Sequence, residues 1–189
     1  MREIYLDNNA TTRALPEVVD AVAEAMRDGY GNPSSVHGAG ARARKYMRDA
    51  RELVGVALSV DSRRVLFTSG ASEANNIVLQ SLGSGPLKGF RLVTSAVEHS
   101  SVLAAAEHLQ RMGHEVVVLP VDHRGLIDES ALGDAIVPGR TLVSLQWANN
   151  ETGVVQAIPR IVTLAHDRGA LVHTDAVQAV GKVAINLTS

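Results

Sequence analysis

The strongest chemical demand in this chain falls on an aspartate that directly follows a buried apolar run. Ala170-Leu171-Val172-His173-Thr174-Asp175 puts a carboxylate where water is scarce. A poorly solvated carboxylate needs a positive or hydrogen-bonding partner, because a lone buried charge is expensive. No Lys or Arg within two residues of Asp175 supplies one. Either Asp175 caps the following helix, or it meets a cation brought by a ligand.

Other apolar runs end in similarly polar residues. The run Val65 to Phe67 leads into Thr68-Ser69-Gly70-Ala71-Ser72-Glu73, with a helix beginning near Ser72. Small residues at a helix start let an anion approach unpaired N–H groups, which makes a plausible phosphate cup. The same residues also make an ordinary turn and cap. Leu92-Val93 leads to Ser95-Ala96-Val97-Glu98-His99-Ser100, where Ser95 and Glu98 have capping-box spacing. There His99 is either a first-turn surface residue or an imidazole that can stack on an aromatic ligand and exchange protons. Leu142 to Leu145 leads to Gln146-Trp147-Ala148-Asn149-Asn150-Glu151-Thr152-Gly153, whose paired amides suit an oriented ligand and a turn equally well.

The elements that must position these residues follow from periodicity. Leu15, Val18, Val19, Val22 and Met26 recur at helical spacing between Pro16 and Gly29, and a second helical pattern runs through Tyr46, Met47, Ala50, Leu53, Val54 and Leu58. Beyond it, short apolar runs at 65–67, 92–93, 116–119, 142–145 and 171–172 alternate with helical stretches near 73–82, 100–112, 128–136 and 159–168. Runs apolar on both faces and separated by helices predict buried parallel strands, so the class is α/β. In such sheets ligands gather beyond the carboxyl ends of the strands, where the polar segments fall.

Composition narrows the function. The 189 residues carry eighteen basic and twenty acidic side chains, a net charge of −2, with no basic footprint for nucleic acid or anionic lipid. The cluster Arg42, Arg44, Lys45, Arg48 and Arg51 is interleaved with Asp49 and Glu52 and reads as a solvated helix face. No cysteine is present, which excludes a disulfide, a thiolate metal site and a cysteine nucleophile in these residues. The seven histidines lack paired metal-ligand spacing. The start, MREIYLDNNATT, has no apolar leader core and no run reaches membrane-span length, so a cytoplasmic protein is expected.

Six segments then form one ordered pattern: Tyr5 to Thr12, Gly31-Asn32-Pro33-Ser34-Ser35 with His37, Thr68 to Asn76, Glu98-His99, Asn149 to Gly153, and His173 to Gln178. In order and spacing they resemble the NifS/IscS group of cysteine desulfurases, in the class V branch of fold-type I pyridoxal-phosphate proteins. The resemblance spans essentially the whole chain and implies a three-layer αβα fold with a mainly parallel sheet. By the same resemblance, residues 1–14 pack near the active site and 15–189 form the N-terminal part of the large cofactor-binding domain.

Carried over position by position, the resemblance implies that Ala71 and Ser72 bind the cofactor phosphate, Ser72 standing where the family usually has Thr. It implies that His99 stacks on the pyridine ring and takes part in proton transfer, and that Asn150 and Gln178 lie at the phenolic oxygen. Asp175 would hold the ring nitrogen protonated, which makes the ring an electron sink. The implied substrate is L-cysteine, the products are L-alanine and an enzyme persulfide, and the working unit is a homodimer serving a sulfur acceptor or scaffold protein.

The family's Ser-x-His-Lys segment and its catalytic cysteine have no counterpart in these residues, and Lys182, within Ala179-Val180-Gly181-Lys182, belongs to a different motif. The expectation is therefore a complementary C-terminal polypeptide carrying both, with this chain inactive by itself. The first strand of the family's sheet pairs with one formed late in sequence, so the runs 65–67 and 171–172 are expected to leave open strand edges. Other readings compete: a selenocysteine lyase or another class V lyase, and a noncatalytic module that retains the scaffold. A dinucleotide-binding domain ranks last, for want of G-x-G-x-x-G after the first strand.

Overall fold

A computed structural model describes residues 4–185 and Leu187. They pack as two units, one made of the residues up to Phe67 with Ile185 and Leu187, the other of Thr68–Ala184.

In the first unit, α1 (Pro16–Asp28) begins with Pro at N1, carries Glu17 in its first turn and Arg27 in its last, and closes with the Gly29 N–H donating to Ala25 O. Charge placement and the proline both suit the helix dipole and the free first-turn donors. Gly29 is required by crowding, since a Cβ there would lie 2.8 Å from Ala25 O and 3.0 Å from the Tyr46 ring. No residue of α1 is buried, and its apolar stripe of Val18, Val19, Val22 and Met26 is exposed. In α2 (Gly38–Leu58), His37 is the N-cap, its side chain accepting from Gly40 N. Arg44 donates to Pro33 O and Ser35 O, both at 2.6 Å, which pins the turn-rich segment before the helix.

The run 65–67 departs from expectation. It is extended but forms no strand, and Leu66 and Phe67 are 69% and 44% exposed. A strand exists only through a neighbour's hydrogen bonds, and among the described residues none lies beside this run. Arg51 takes that place in part, donating to Val65 O and lying 5.3 Å above the Phe67 ring.

The second unit holds α3 (Ala71–Ser84), β1 (Arg91–Ser95), α4 (Ser100–Arg111), β2 (Val116–Leu119), α5 (Glu129–Ala135), β3 (Thr141–Gln146), α6 (Ile158–Asp167) and β4 (Leu171–Asp175). The strands form one wholly parallel sheet in the order β2-β1-β3-β4. With the right-handed crossovers usual for parallel strands, this strand order puts α4 on one face and α5 and α6 on the other; α3 packs against α4, and α5 against α6. The result is the three-layer αβα arrangement, with the remaining four apolar runs all strands.

Leu79, Leu82, Leu92, Val102, Ala106, Leu109 and Leu142 form a buried cluster that seals α3 and α4 to the sheet. Replacing Leu79, which is wholly buried, by alanine is expected to cost about 3 kcal/mol through lost contacts and the cavity left behind. The check is urea unfolding, where the midpoint should fall without a change in the slope.

Candidate functional site

Parallel strands in register turn one face of the sheet from apolar to polar as it approaches the carboxyl ends. Leu92, Leu142 and Leu171 stand side by side, then Thr94, Ser144 and His173, then Gln146 and Asp175. Leu92 and Leu142 seat α3 and α4, Leu171 at the sheet edge stays exposed, and the polar ranks lie beyond. Ser144 and His173 share a hydrogen bond of 2.9 Å. Burial holds the His173 imidazole below its usual range, with the charge of Asp175 opposing that shift.

Asp175 ends β4 and meets two donors. Its Oδ2 accepts from Asn75 Nδ2 at 2.8 Å and its Oδ1 from Val177 N at 3.0 Å. The second bond holds the turn that follows β4; among the described residues no helix starts there, so the helix cap offered by the sequence is not formed. The first reaches α3, and Asn75 lies one helical turn after Ala71 and Ser72, on the same side of the helix. The acid and the start of α3 are thus joined through one buried amide. That start has Gly70 as N-cap with no side-chain cap bond, and a Cβ at Gly70 would meet nothing within 4 Å. The first-turn N–H groups therefore receive no side-chain cap from Gly70. Glu73 turns back, its carboxylate accepting from Ser69 N and Ser69 Oγ, both at 2.6 Å, which holds it below the usual carboxylate range.

His99 is the N-cap of α4. Its Nδ1 accepts from Ser101 N at 3.2 Å and lies 2.9 Å from Ser101 Oγ, which in turn is 3.2 Å from Asn75 Nδ2. The ring is exposed and yet anchored. Ser95 and Glu98 form no helix cap despite their spacing. Glu98 is 6% exposed, accepts from Ser95 Oγ at 2.5 Å and, across the sheet, from Gln146 N at 2.8 Å. Burial pushes its carboxyl up to about 7, the two donors oppose this, and the nearby charge of Asp175 adds to it.

Asn149 carries the turn chemistry of its segment, accepting from Glu151 N and Thr152 N at 2.8 Å and donating to Val97 O at 2.9 Å. Asn150 follows it, half-buried. Gln178 is half-buried in the turn after β4, where its side chain accepts from Lys182 Nζ. Asp175, His99 and the Ala71–Ser72 turn thus come together through Asn75 and Ser101, while Asn150 and Gln178 lie on the turns that follow β3 and β4. Asn75 and Ser101 were not singled out from sequence, although Asn75 sits inside an ordered segment, and Glu98 was marked only for its capping-box spacing with Ser95. An open groove of about 470 Å³ between α3 and α4 touches Ser72 and Ser101 but reaches neither His99 nor Asp175. Among the described residues no group of His, Asp or Glu could hold a metal ion, and no helix is long and apolar enough to cross a membrane.

This arrangement of sheet, helix start and acid is that of a class V aminotransferase fold, and the sequence profile of the Aminotransferase class-V family matches residues 4–189. The chain belongs to that family. It is 46% identical to a cysteine desulfurase of Cereibacter sphaeroides over 99% of this chain and 49% of the relative. Among solved structures, a NifS-like protein superposes with a TM-score of 0.91 at 36% identity, covering 98% of this chain and 52% of that one. SspA in complex with cysteine superposes with a TM-score of 0.90 at 33% identity, over 96% and 53% of the two chains. The chain spans about half the length of the curated relatives it matches. Class V aminotransferases and cysteine desulfurases use pyridoxal 5'-phosphate.

Glu98 gives the unit a pH signature of defined sign. Its carboxyl is raised from 4.5 to about 7 in the fold, so the folded state holds a proton that the unfolded state has released. The stabilisation is complete below about 4.5 and disappears as pH rises through about 7, amounting to on the order of 3 kcal/mol. Glu98→Gln should remove this contribution to the slope of stability against pH, as read by urea unfolding at a series of pH values.

Proposed function

We propose that this chain supplies the cofactor-holding part of a pyridoxal-phosphate cysteine desulfurase. In that reading sulfur leaves L-cysteine, L-alanine is released, and the sulfur is carried as an enzyme persulfide toward iron–sulfur cluster or other sulfur-cofactor assembly. The observation that carries it is the bond from Asn75 to Asp175, which links the strand-end acid to the open start of α3. The likeness to cysteine desulfurases and to SspA in complex with cysteine supports the substrate.

The residues present fit the cofactor. Asp175 accepts one hydrogen bond on each oxygen, which leaves lone pairs for a further donor, the protonated ring nitrogen. Ala71 and Ser72 offer the first-turn N–H groups and the Ser72 hydroxyl to the phosphate. His99, with Nδ1 held by Ser101, presents a ring of fixed orientation for stacking and for holding or moving a proton at its other nitrogen. Asn150 and Gln178 serve the phenolic oxygen. When bound, pyridoxal phosphate supplies the electron sink for the charge developed at the substrate α-carbon.

The anchoring lysine and the sulfur-accepting cysteine are assigned to a complementary C-terminal segment, the part of the relatives' length that these residues do not span. The complete unit works as a homodimer, with this chain alone releasing no sulfide.

The test is sulfide and alanine release from L-cysteine by this chain with and without its complement, selenocysteine being assayed in parallel. Intact-mass analysis of the purified material identifies the second polypeptide. Asp175→Asn is expected to lower turnover by roughly 10²-fold or more while weakening cofactor retention far less. An unchanged rate overturns the role given to Asp175.

A further inference from the structure

Asn75 stands between the two groups that flank the proposed cofactor site, yet the reading above gives it no task. It is 3% exposed, and its amide nitrogen lies 2.8 Å from Asp175 Oδ2 and 3.2 Å from Ser101 Oγ. An ionised carboxylate only accepts hydrogen bonds, so the amide nitrogen and not the amide oxygen must face Asp175. That fixes the orientation of the side chain. One amide hydrogen goes to Asp175 and the other to Ser101 Oγ.

The direction then propagates. Ser101 Oγ accepts from Asn75 and keeps its own hydrogen for His99 Nδ1, 2.9 Å away. The Ser101 backbone N–H also donates to Nδ1, so that nitrogen is an acceptor and the proton of the neutral ring is on Nε2. At the other end, Asn75 and the Val177 N–H each hold one oxygen of Asp175, so the carboxylate plane is fixed.

We infer that Asn75 is a positioning residue: its two amide hydrogens set the Asp175 carboxylate and, through Ser101, the His99 imidazole in one donor–acceptor register. The competing role is space filling where α3 meets α4. The inference rests on the cofactor reading for its purpose, but the hydrogen-bond hub can be read without any cofactor.

The experiment uses the assembled protein with ¹⁵N-labelled histidine and, in a second arm, pyridoxal phosphate labelled with ¹⁵N in its ring. Two variants divide the hub: Ser101→Ala removes only the His99 arm, and Asn75→Ala removes both. Ser101→Ala should shift the His99 Nδ1 signal and leave the ring-nitrogen signal in place. Asn75→Ala should shift both and weaken retention of pyridoxal phosphate about tenfold, the usual effect of losing a hydrogen bond to a charged group. Asn75→Asp keeps the volume but donates at most one hydrogen, so it must shift at least one signal, and it replaces the alanine variant if that does not fold.

The inference is overturned if Asn75→Ala, or Asn75→Asp in its place, leaves both signals unmoved. It is equally overturned if Ser101→Ala moves the ring-nitrogen signal as far as the Asn75 variant does. Should the wild-type protein retain no pyridoxal phosphate, the proposed function falls. The His99 signals of the ligand-free protein still decide the hub, and no shift in the Asn75 variant rejects it.

Discussion

One hydrogen bond across 100 residues of sequence, from the Asn75 amide to the Asp175 carboxylate, is what the geometry of the site depends on. A carboxylate at the tip of a parallel strand loses water as helices cover the sheet, and each lost solvent contact must be replaced. Asp175 receives its replacements from α3 and from its own following turn. Glu98, close by and also short of water, receives two donors as well, but burial outweighs them and its carboxyl rises toward neutrality. Two acids near one another are thus satisfied by different donors, and of Glu98 the fold favours the protonated form.

The scaffold beneath them explains why these groups meet. Leu92 and Leu142 give α3 and α4 a seat, so both helices start at the level where the sheet face becomes polar. Asn75 and Ser101 lie within the first two turns of those helices. The same packing that buries Leu79 and Val102 brings the amide and the hydroxyl to the strand ends. Stability and site geometry share one set of contacts.

Much of this was legible in the sequence. The period of apolar residues located six helices and four of five strands, because those signals are local. The run 65–67 misled because β character in a sequence records the fit to a sheet, while the strand itself requires a neighbour. Ser95 and Glu98 misled for a different reason. Their spacing is that of a cap, but the carboxylate is drawn to Gln146 N, 48 residues away, a partner that only the strand order supplies. Asp175, His99 and the Ala71–Ser72 turn could be singled out because each carries a chemical demand of its own. Asn75 could not, since a helical asparagine shows its worth only once its two acceptors are in place.

The order of the strands has a further consequence. The chain leaves β1 for β2 in one direction and β3 for β4 in the other, so the paths diverge between β1 and β3. A fork of this kind opens a cleft above the sheet in which many α/β proteins lodge their ligands. Here the fork is bridged by Glu98, which reaches from the segment after β1 to the last residue of β3. The opening is thus spanned from within, and the carboxyl ends of β1 and β3 are tied together at the point where the paths part.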